Sequence, residues 1–593
     1  MIRKIRTCLQ TSSFPWQVDL LILTAIYGNA FYLWLGRTGL IEPDEGRYSE
    51  IPREMLERCD FITPTLNYVA YFEKPPLHYW LTALAFKAFG LNEFAARFTG
   101  ATAGLLTVLL VYGTTRAIWG RQEAIFSAAI LGGSTGFLVQ SRINLTDLTL
   151  TFCLTAALCN FLLAVTREQH KALHYYLFYV FCGLSVLAKG LIGIVFPAGI
   201  VMLYLALGRN GCLLRELRLM RGSLLMFAVA TPWFVLVSIK NPDFARFFFV
   251  HEHFERFLTT THGRYQPFWF FVPIFLLTML PWSFYAVRAL VDGLKTRCQA
   301  HDPRFFLVIW VVFIFLFFSA SHSKLIPYIL PIFPPIAMLI GIMFVRLGEY
   351  KLMTALKPEH RSLLVVLSIG SVGVVVYSQL PALAPLLIQL GWLSAGSRLL
   401  TKMTILTPAA GSLLGLIFLG MAMNVFWAVR RQSAGLLLIG LLSGSYLLEV
   451  VGQPYVLERI AVKKSSRELG EMAGRFLSKE GVLASFGYEQ SLPFYAKRRV
   501  VVVGSKGELA FGSNRGDQAN WFVDEAGFLQ LWQGNRQVVV LLKQDELKRV
   551  APLLHPAATV LGQKYKKLLI TNKPLQGDDN HESRRGKVSG RKF

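Results

Sequence analysis

The sequence predicts a polytopic α-helical membrane protein with a soluble α/β domain at its C-terminal end. Three observations predict it. Of 593 residues, 53% are hydrophobic and only 16% charged, whereas soluble domains carry about 25% charge. Apolar runs of the roughly 20 residues that cross a bilayer recur along most of the chain. Beyond Gln453 the pattern changes to short apolar runs, GVLASFGY, RRVVVVG and RQVVVLLK, between polar stretches, the pattern of strands in a small α/β domain.

The N-terminal MIRKIRTCLQ is basic and leads into an apolar stretch from Trp16 to Leu35. That stretch is longer than a signal-peptide core and lacks a small-residue cleavage site, so it is read as an uncleaved first span. Spans are expected near residues 16–36, 96–118, 123–141, 146–165, 173–188, 190–207, 222–240, 267–289, 305–321, 325–345, 362–380, 404–428 and 433–450, about 13 in all. Basic residues test this count. With a cytoplasmic N-terminus, the inner loops hold Arg116 and Arg121, Arg167 and Lys171, Arg209 to Arg221, Arg288 to Arg304, Arg346 to Arg361, and Arg430 with Arg431. The short outer loops are poorer in them, as the positive-inside rule requires, and the C-terminus falls outside. Residues 1–453 then form the membrane domain and 454–573 a periplasmic domain. The tail 574–593, with no apolar content, is expected to be disordered.

Composition excludes several functions. The net charge of +25 would suggest nucleic acid in a soluble protein, but here most of it is inner-loop topology signal, so no nucleic-acid partner is expected. Seven scattered cysteines form no CxxC, which removes zinc-finger and thioredoxin readings. There is no Walker loop, GxSxG elbow or dinucleotide fingerprint, so no nucleotide cofactor is expected.

Two outer segments, about 37–95 and about 241–266 with HEHFERFLTTTHGRYQP, are too long to be turns. In the first, about 37–95, Tyr48, Ile51 and Met55 form an apolar stripe at helical spacing, predicting an amphipathic helix along the membrane surface. Asp44 and Glu45 open it, followed by Arg47 and Tyr48, and Asp147 starts the fourth span at the same outer interface. Lys74, Lys189, Arg264 and Lys324 break the inside bias. A solvated loop end explains any single acid, and snorkelling any single cation. Together they suit an anionic group at the membrane surface, such as a lipid phosphate. Glu73 with His251, His253 and His262 forms a weaker metal candidate, and Asp44 with Glu45 another, for a divalent ion such as zinc or magnesium.

The motifs EPDEGRYSEIPREM, YFEKPP, the LTD at 145–147, LAKG and RFLTTTHGRYQP resemble the ArnT-like lipid A 4-amino-4-deoxy-L-arabinose transferases. These are GT-C membrane glycosyltransferases related to the protein O-mannosyltransferases. The resemblance implies the GT-C fold and inverting transfer from undecaprenyl phosphate to lipid A phosphate at the periplasmic face of a bacterial inner membrane, by a monomer. It also implies that Asp44 is the acid of the first external loop and Asp147 a second acid. Lys74, Lys189 and Arg264 would hold the carrier phosphate, and Glu73 would sit at a metal position.

Inverting transfer needs an acceptor oxygen to attack the anomeric carbon as phosphate departs, with Lys74, Lys189, Arg264, Lys324, Arg47 and Tyr48 around the leaving group. Asp44, Glu45 and Asp147 are the catalytic candidates. A hydroxyl acceptor would need Asp44 as base. A phosphate monoester, with a second pKa near 6, would not, and Asp44 would then orient it or balance charge. Alternatives are a related GT-C transferase acting on protein, polysaccharide or another lipid, and a transporter of a lipid-linked intermediate.

Overall fold

The computed structural model describes residues 15–208, 211, 213–249, 266–298, 302–391 and 406–573. The chain divides into two compact units. One runs to Ser465 and omits Asn67–Val69; the other comprises Asn67–Val69 and the residues from Ser466 onward.

The first unit is helical. Among the described residues, nine helices are long and apolar enough to span a membrane. The remaining expected spans depart from ideal length for visible reasons. Trp16–Tyr32 has 17 residues and Ile192–Leu207 has 16. The third is split into Arg121–Gly132 and Thr135–Gln140, around the Gly132-Gly133 pair, where backbone freedom is greatest. The eighth is split into Phe268–Thr278 and Ser283–Leu294, bent by 112°; Pro281 lies in the break and brings no amide donor. The most central spans are Thr146–Thr166 and Ile326–Gly348, each 89% buried, while Lys357–Leu386 is 22% buried and turns its apolar side chains outward. In lipid such an outward face costs nothing.

The helix Asp44–Arg58 forms where its apolar stripe predicts one, and burial extends to its charged residues as well. Ile51 and Met55 are buried, but so are Glu45, Glu50, Arg53 and Glu54. Its charges survive burial because they are paired. Arg53 grips Glu50 with two bonds of 2.6 and 2.7 Å. Glu54 accepts from the Thr65 hydroxyl at 2.6 Å, and that hydroxyl also accepts from Arg58 at 2.8 Å. Thr65 begins strand β1 (Thr65–Leu66), which pairs with β2 (Val69–Ala70). The helix ends where Cys59 turns left-handed, at φ 52°.

Arg97, near the start of helix Glu93–Ile118, fixes how the chain enters Asp44–Arg58. Its five N–H donors all find partners: the carbonyls of Leu35, Thr38 and Gly39, and both Glu45 carboxylate oxygens at 2.7 and 2.8 Å. Glu45 also accepts from the Ile41 and Asn144 amides, each at 2.9 Å. Arg142 repeats the device, donating to the carbonyls of Ala30 and Leu33.

The second unit holds a six-stranded sheet in the order β5 (Phe522–Val523), β4 (Val500–Val503), β3 (Val482–Phe486), β6 (Val538–Lys543), β8 (Lys567–Thr571), β7 (Thr559–Lys564). β5, β4, β3 and β6 are parallel, and β8 is antiparallel to β6 and β7. Residues alternate between faces, as a pleat requires. Val538, Val540 and Leu542 pack with Phe528 and Trp532 on one side, and Val539 and Leu541 pack with Leu469 and Ala473 on the other. Helices therefore cover both faces, the expected consequence of parallel strands. Asn67 is stitched into this unit: its side chain bonds the Val500 carbonyl at 2.8 Å and amide at 2.9 Å. The unit starts at Ser466 rather than residue 454, because helix Gln453–Lys464 continues the last span. The tail 574–593 lies outside the described residues.

Arg97→Met should destabilise the membrane unit by about 3–5 kcal/mol, since it strands the buried Glu45 charge. Thermal unfolding in detergent measures this, and adding Glu45→Gln should recover part of the loss.

Candidate active site

The acids and cations singled out in the sequence divide into those spent inside the protein and those placed at helix ends. Asp44 opens its helix, where a carboxylate is favoured by the helix dipole. Its side chain is 47% exposed and accepts from Arg47 at 3.2 Å. The Arg47 guanidinium, itself buried, lies over the rings of Tyr48 at 5.7 Å and Tyr71 at 5.9 Å. Tyr48 marks the convergence. Burial raises its phenol well above the usual range, the charges of Asp44, Glu73 and Asp147 add to the rise, and Arg47 opposes it. The charges of three carboxylates and a guanidinium are thus felt at one hydroxyl.

Asp147 sits in the first turn of Thr146–Thr166 and is ion-paired with Lys189, at the end of Lys171–Lys189. Lys189 lies 4.8 Å from the centre of the Tyr328 ring, a cation–π contact that steadies the ammonium. Lys74 donates to the Glu73 carbonyl at 2.9 Å.

Two expected roles are corrected. Glu45 was expected among the catalytic acids, but it is 1% exposed and its carboxylate oxygens are engaged by Arg97, Ile41 and Asn144. Adjacent helical residues project about 100° apart, so Asp44 faces outward while Glu45 faces the core. Lys324 was expected at the carrier phosphate. It is 4% exposed and donates to the carbonyls of Ser321 and Gln266, bracing its turn, and burial lowers its pKa.

Arg264, His251, His253 and His262 lie outside the described residues. Among the described residues no three His, Cys, Asp or Glu side chains come together to hold a metal. Glu73 has no such set among the described residues.

Sequence reasoning missed His78. It is fully buried, with Nδ1 2.9 Å from the Thr149 hydroxyl and Nε2 2.8 Å from the Asn144 side-chain oxygen. Its ring meets Tyr48 edge-on, with centroids 6.1 Å apart. It links the Asp44 helix to the Asp147 helix. The only signal was a polar ring in the otherwise apolar LHYWLTALAF.

The site's charges stand at helix ends, Asp147 in a first turn and Lys189 in a last one, not at mid-span on interrupted helices as in transporters. The dolichyl-phosphate-mannose-protein mannosyltransferase family matches residues 19–248, and the aminoarabinose transferase C-terminal domain matches residues 473–572. An undecaprenyl phosphate-alpha-4-amino-4-deoxy-L-arabinose arabinosyl transferase of Aeromonas hydrophila is 30% identical over 557 residues, covering 91% of this chain and 96% of that one. The chain belongs to this transferase family. A Proteus mirabilis transferase of the same description is 33% identical over 338 residues, 56% of this chain and 59% of that one. The fold agrees. The crystal structure of ArnT from Cupriavidus metallidurans bound to undecaprenyl phosphate matches with a TM-score of 0.80 at 26% identity, covering 93% of this chain and 98% of that chain. The transferase is thus a multi-pass GT-C membrane glycosyltransferase dependent on a polyprenyl-phosphate sugar.

Burial pushes the His78 pKa down to about 4 from 6.5, against the opposing pull of Asn144 and Asp147. The unfolded chain therefore binds the extra proton between these values. Stability of the transferase should fall as pH drops from 6.5 toward 4, by at most about 1.4 kcal/mol per pH unit. In His78→Gln the slope across that window should flatten, as read by thermal unfolding at stepped pH.

Proposed function

We propose that the transferase moves 4-amino-4-deoxy-L-arabinose from undecaprenyl phosphate to a lipid A phosphate at the periplasmic face of a bacterial inner membrane. One observation carries the reading: Arg47 is held by Asp44 and the Tyr48 and Tyr71 rings, His78 joins Tyr48 to the helix that begins with Asp147, and Asp147 pairs with Lys189 at a helix end. The relatives' described activity supports the donor sugar and carrier.

An acceptor phosphate oxygen attacks the anomeric carbon as the bond from that carbon to the carrier phosphate breaks. The bonding pair leaves with the carrier. Arg47, Lys74 and Lys189 stabilise the added negative charge, which is worth most in a site prepared before the reaction. Lys189 is held for this by Asp147 and Tyr328, and Arg47 by Asp44 and two rings. Asp44, the acid left open to water, meets the acceptor. With a phosphate acceptor no proton need be removed near neutral pH, so its task is to orient the acceptor and keep Arg47 in place. An apolar cavity of about 280 Å³, lined by Val139, Leu277, Ile326, Pro327, Leu330 and Phe333, offers the prenyl chain a place between helices.

Purified protein in nanodiscs, given undecaprenyl-phosphate aminoarabinose and lipid A, should form aminoarabinosylated lipid A detectable by mass spectrometry. Release of free sugar without transfer would overturn the acceptor assignment. Asp44→Asn should lower kcat by about a hundredfold through lost acceptor orientation, with carrier affinity retained; wild-type turnover would remove Asp44 from the reaction. Lys74→Ala should cost about 3 kcal/mol in the barrier, read as a loss in kcat/KM.

A further inference from the structure

The second unit contains a cleft of about 890 Å³ that none of the chemistry above uses. Its cationic lining comes from the residues just before three strands. Lys479 precedes β3, Arg498 and Arg499 precede β4, and Arg536 precedes β6. Parallel pairing aligns Val482 with Val538 and Leu483 with Val500, so segments far apart in sequence deliver their cations to one edge of the sheet. Four cations face one lining carboxylate, Glu480.

Two of these cations are held in place. Arg498 donates to the Lys479 carbonyl at 3.1 Å. Arg499 lies 4.1 Å from the Trp521 ring centre and donates to the Gln518 side-chain oxygen at 2.5 Å. Holding guanidiniums before a ligand arrives lowers the entropy lost on binding. Planar guanidiniums favour phosphate oxygens, and like charges brought together are stabilised by an anion. The volume is in the range of pockets for whole small molecules and exceeds one phosphate. Asn520, with both a donor and an acceptor, and the Trp521 indole supply polar and flat apolar surface for a sugar ring. The cleft opens at the amino ends of the parallel strands, whereas nucleotide-type sites of α/β sheets lie at their carboxyl ends.

We infer that this cleft binds the phosphorylated saccharide headgroup of a lipid, as a second recognition site built from residues other than those of the reacting centre. The inference rests on the reading above that the acceptor is a phosphorylated glycolipid. Such a site raises acceptor occupancy and leaves the bond-breaking step untouched.

The test uses full-length protein in phosphatidylcholine nanodiscs and three probes: a glucosamine disaccharide bisphosphate, inorganic phosphate and undecaprenyl phosphate. The double variant Lys479→Glu/Arg536→Glu changes exposed positions, and its thermal unfolding should match the parent. It should bind the disaccharide at least tenfold more weakly, keep undecaprenyl phosphate affinity within twofold, and raise acceptor KM at unchanged kcat. Unchanged disaccharide affinity would overturn the inference. Inorganic phosphate binding as tightly as the disaccharide would overturn the saccharide part, and an equal loss of undecaprenyl phosphate would reassign the cleft to the carrier. Disaccharide binding that depends on these residues, in a protein that transfers nothing to lipid A, would uphold the cleft and count against the acceptor assignment alone.

Discussion

The Glu45–Arg97 pair is the constraint on which the outer face of the membrane unit depends. A carboxylate and a guanidinium removed from water cost several kcal/mol each, and their attraction offsets that only when every lone pair and proton is used. Here it is. Arg97 ties down three carbonyls of the loop after the first helix, and Glu45 ties down the Ile41 and Asn144 amides. Asp44 is one peptide from this knot, and Asn144 is three residues from Asp147. A single ion pair thus fixes both acids from opposite sides.

Charge in this protein has two fates that composition alone does not separate. Glu45, Arg97, Arg53, Glu50 and Lys324 are consumed by structure, each buried and bonded to a partner within the fold. Asp44 remains open to water, and Lys189 is held by a carboxylate and a ring at a helix end. The difference lies in direction. Neighbours on a helix, such as Asp44 and Glu45, share a motif but face different media, and in a low-dielectric interior only the fully partnered one remains charged without a ligand.

The sequence made the spans legible because lipid demands long apolar runs, and most of them match helices in the structure. Glycine or proline shortens or bends some of the runs, as at Gly132-Gly133 and Pro281. The strands of the second unit were visible as valine runs, but their register, which gathers Lys479, Arg499 and Arg536, depends on pairings with no local signature. For the same reason His78 escaped notice: its partners Asn144 and Thr149 lie 66 and 71 residues away. For the helix Asp44–Arg58 the stripe located the element but not the partners of its charges. Periodicity reports which face is apolar and says nothing about whether the charged face will find partners.

The stitching of Asn67 into the second unit also bears on how the protein is made. Asn67 and Val500 are 433 residues apart. At a synthesis rate of about 5–20 residues per second, residue 67 leaves the ribosome roughly 20–90 s before its partner exists. Throughout that interval the short β1–β2 hairpin waits with an amide side chain whose bonds are still to be made to water or to a chaperone. Loop closure over such a distance contributes slowly growing entropy but a large kinetic delay. The second unit is therefore completed only after the whole membrane unit has been synthesised.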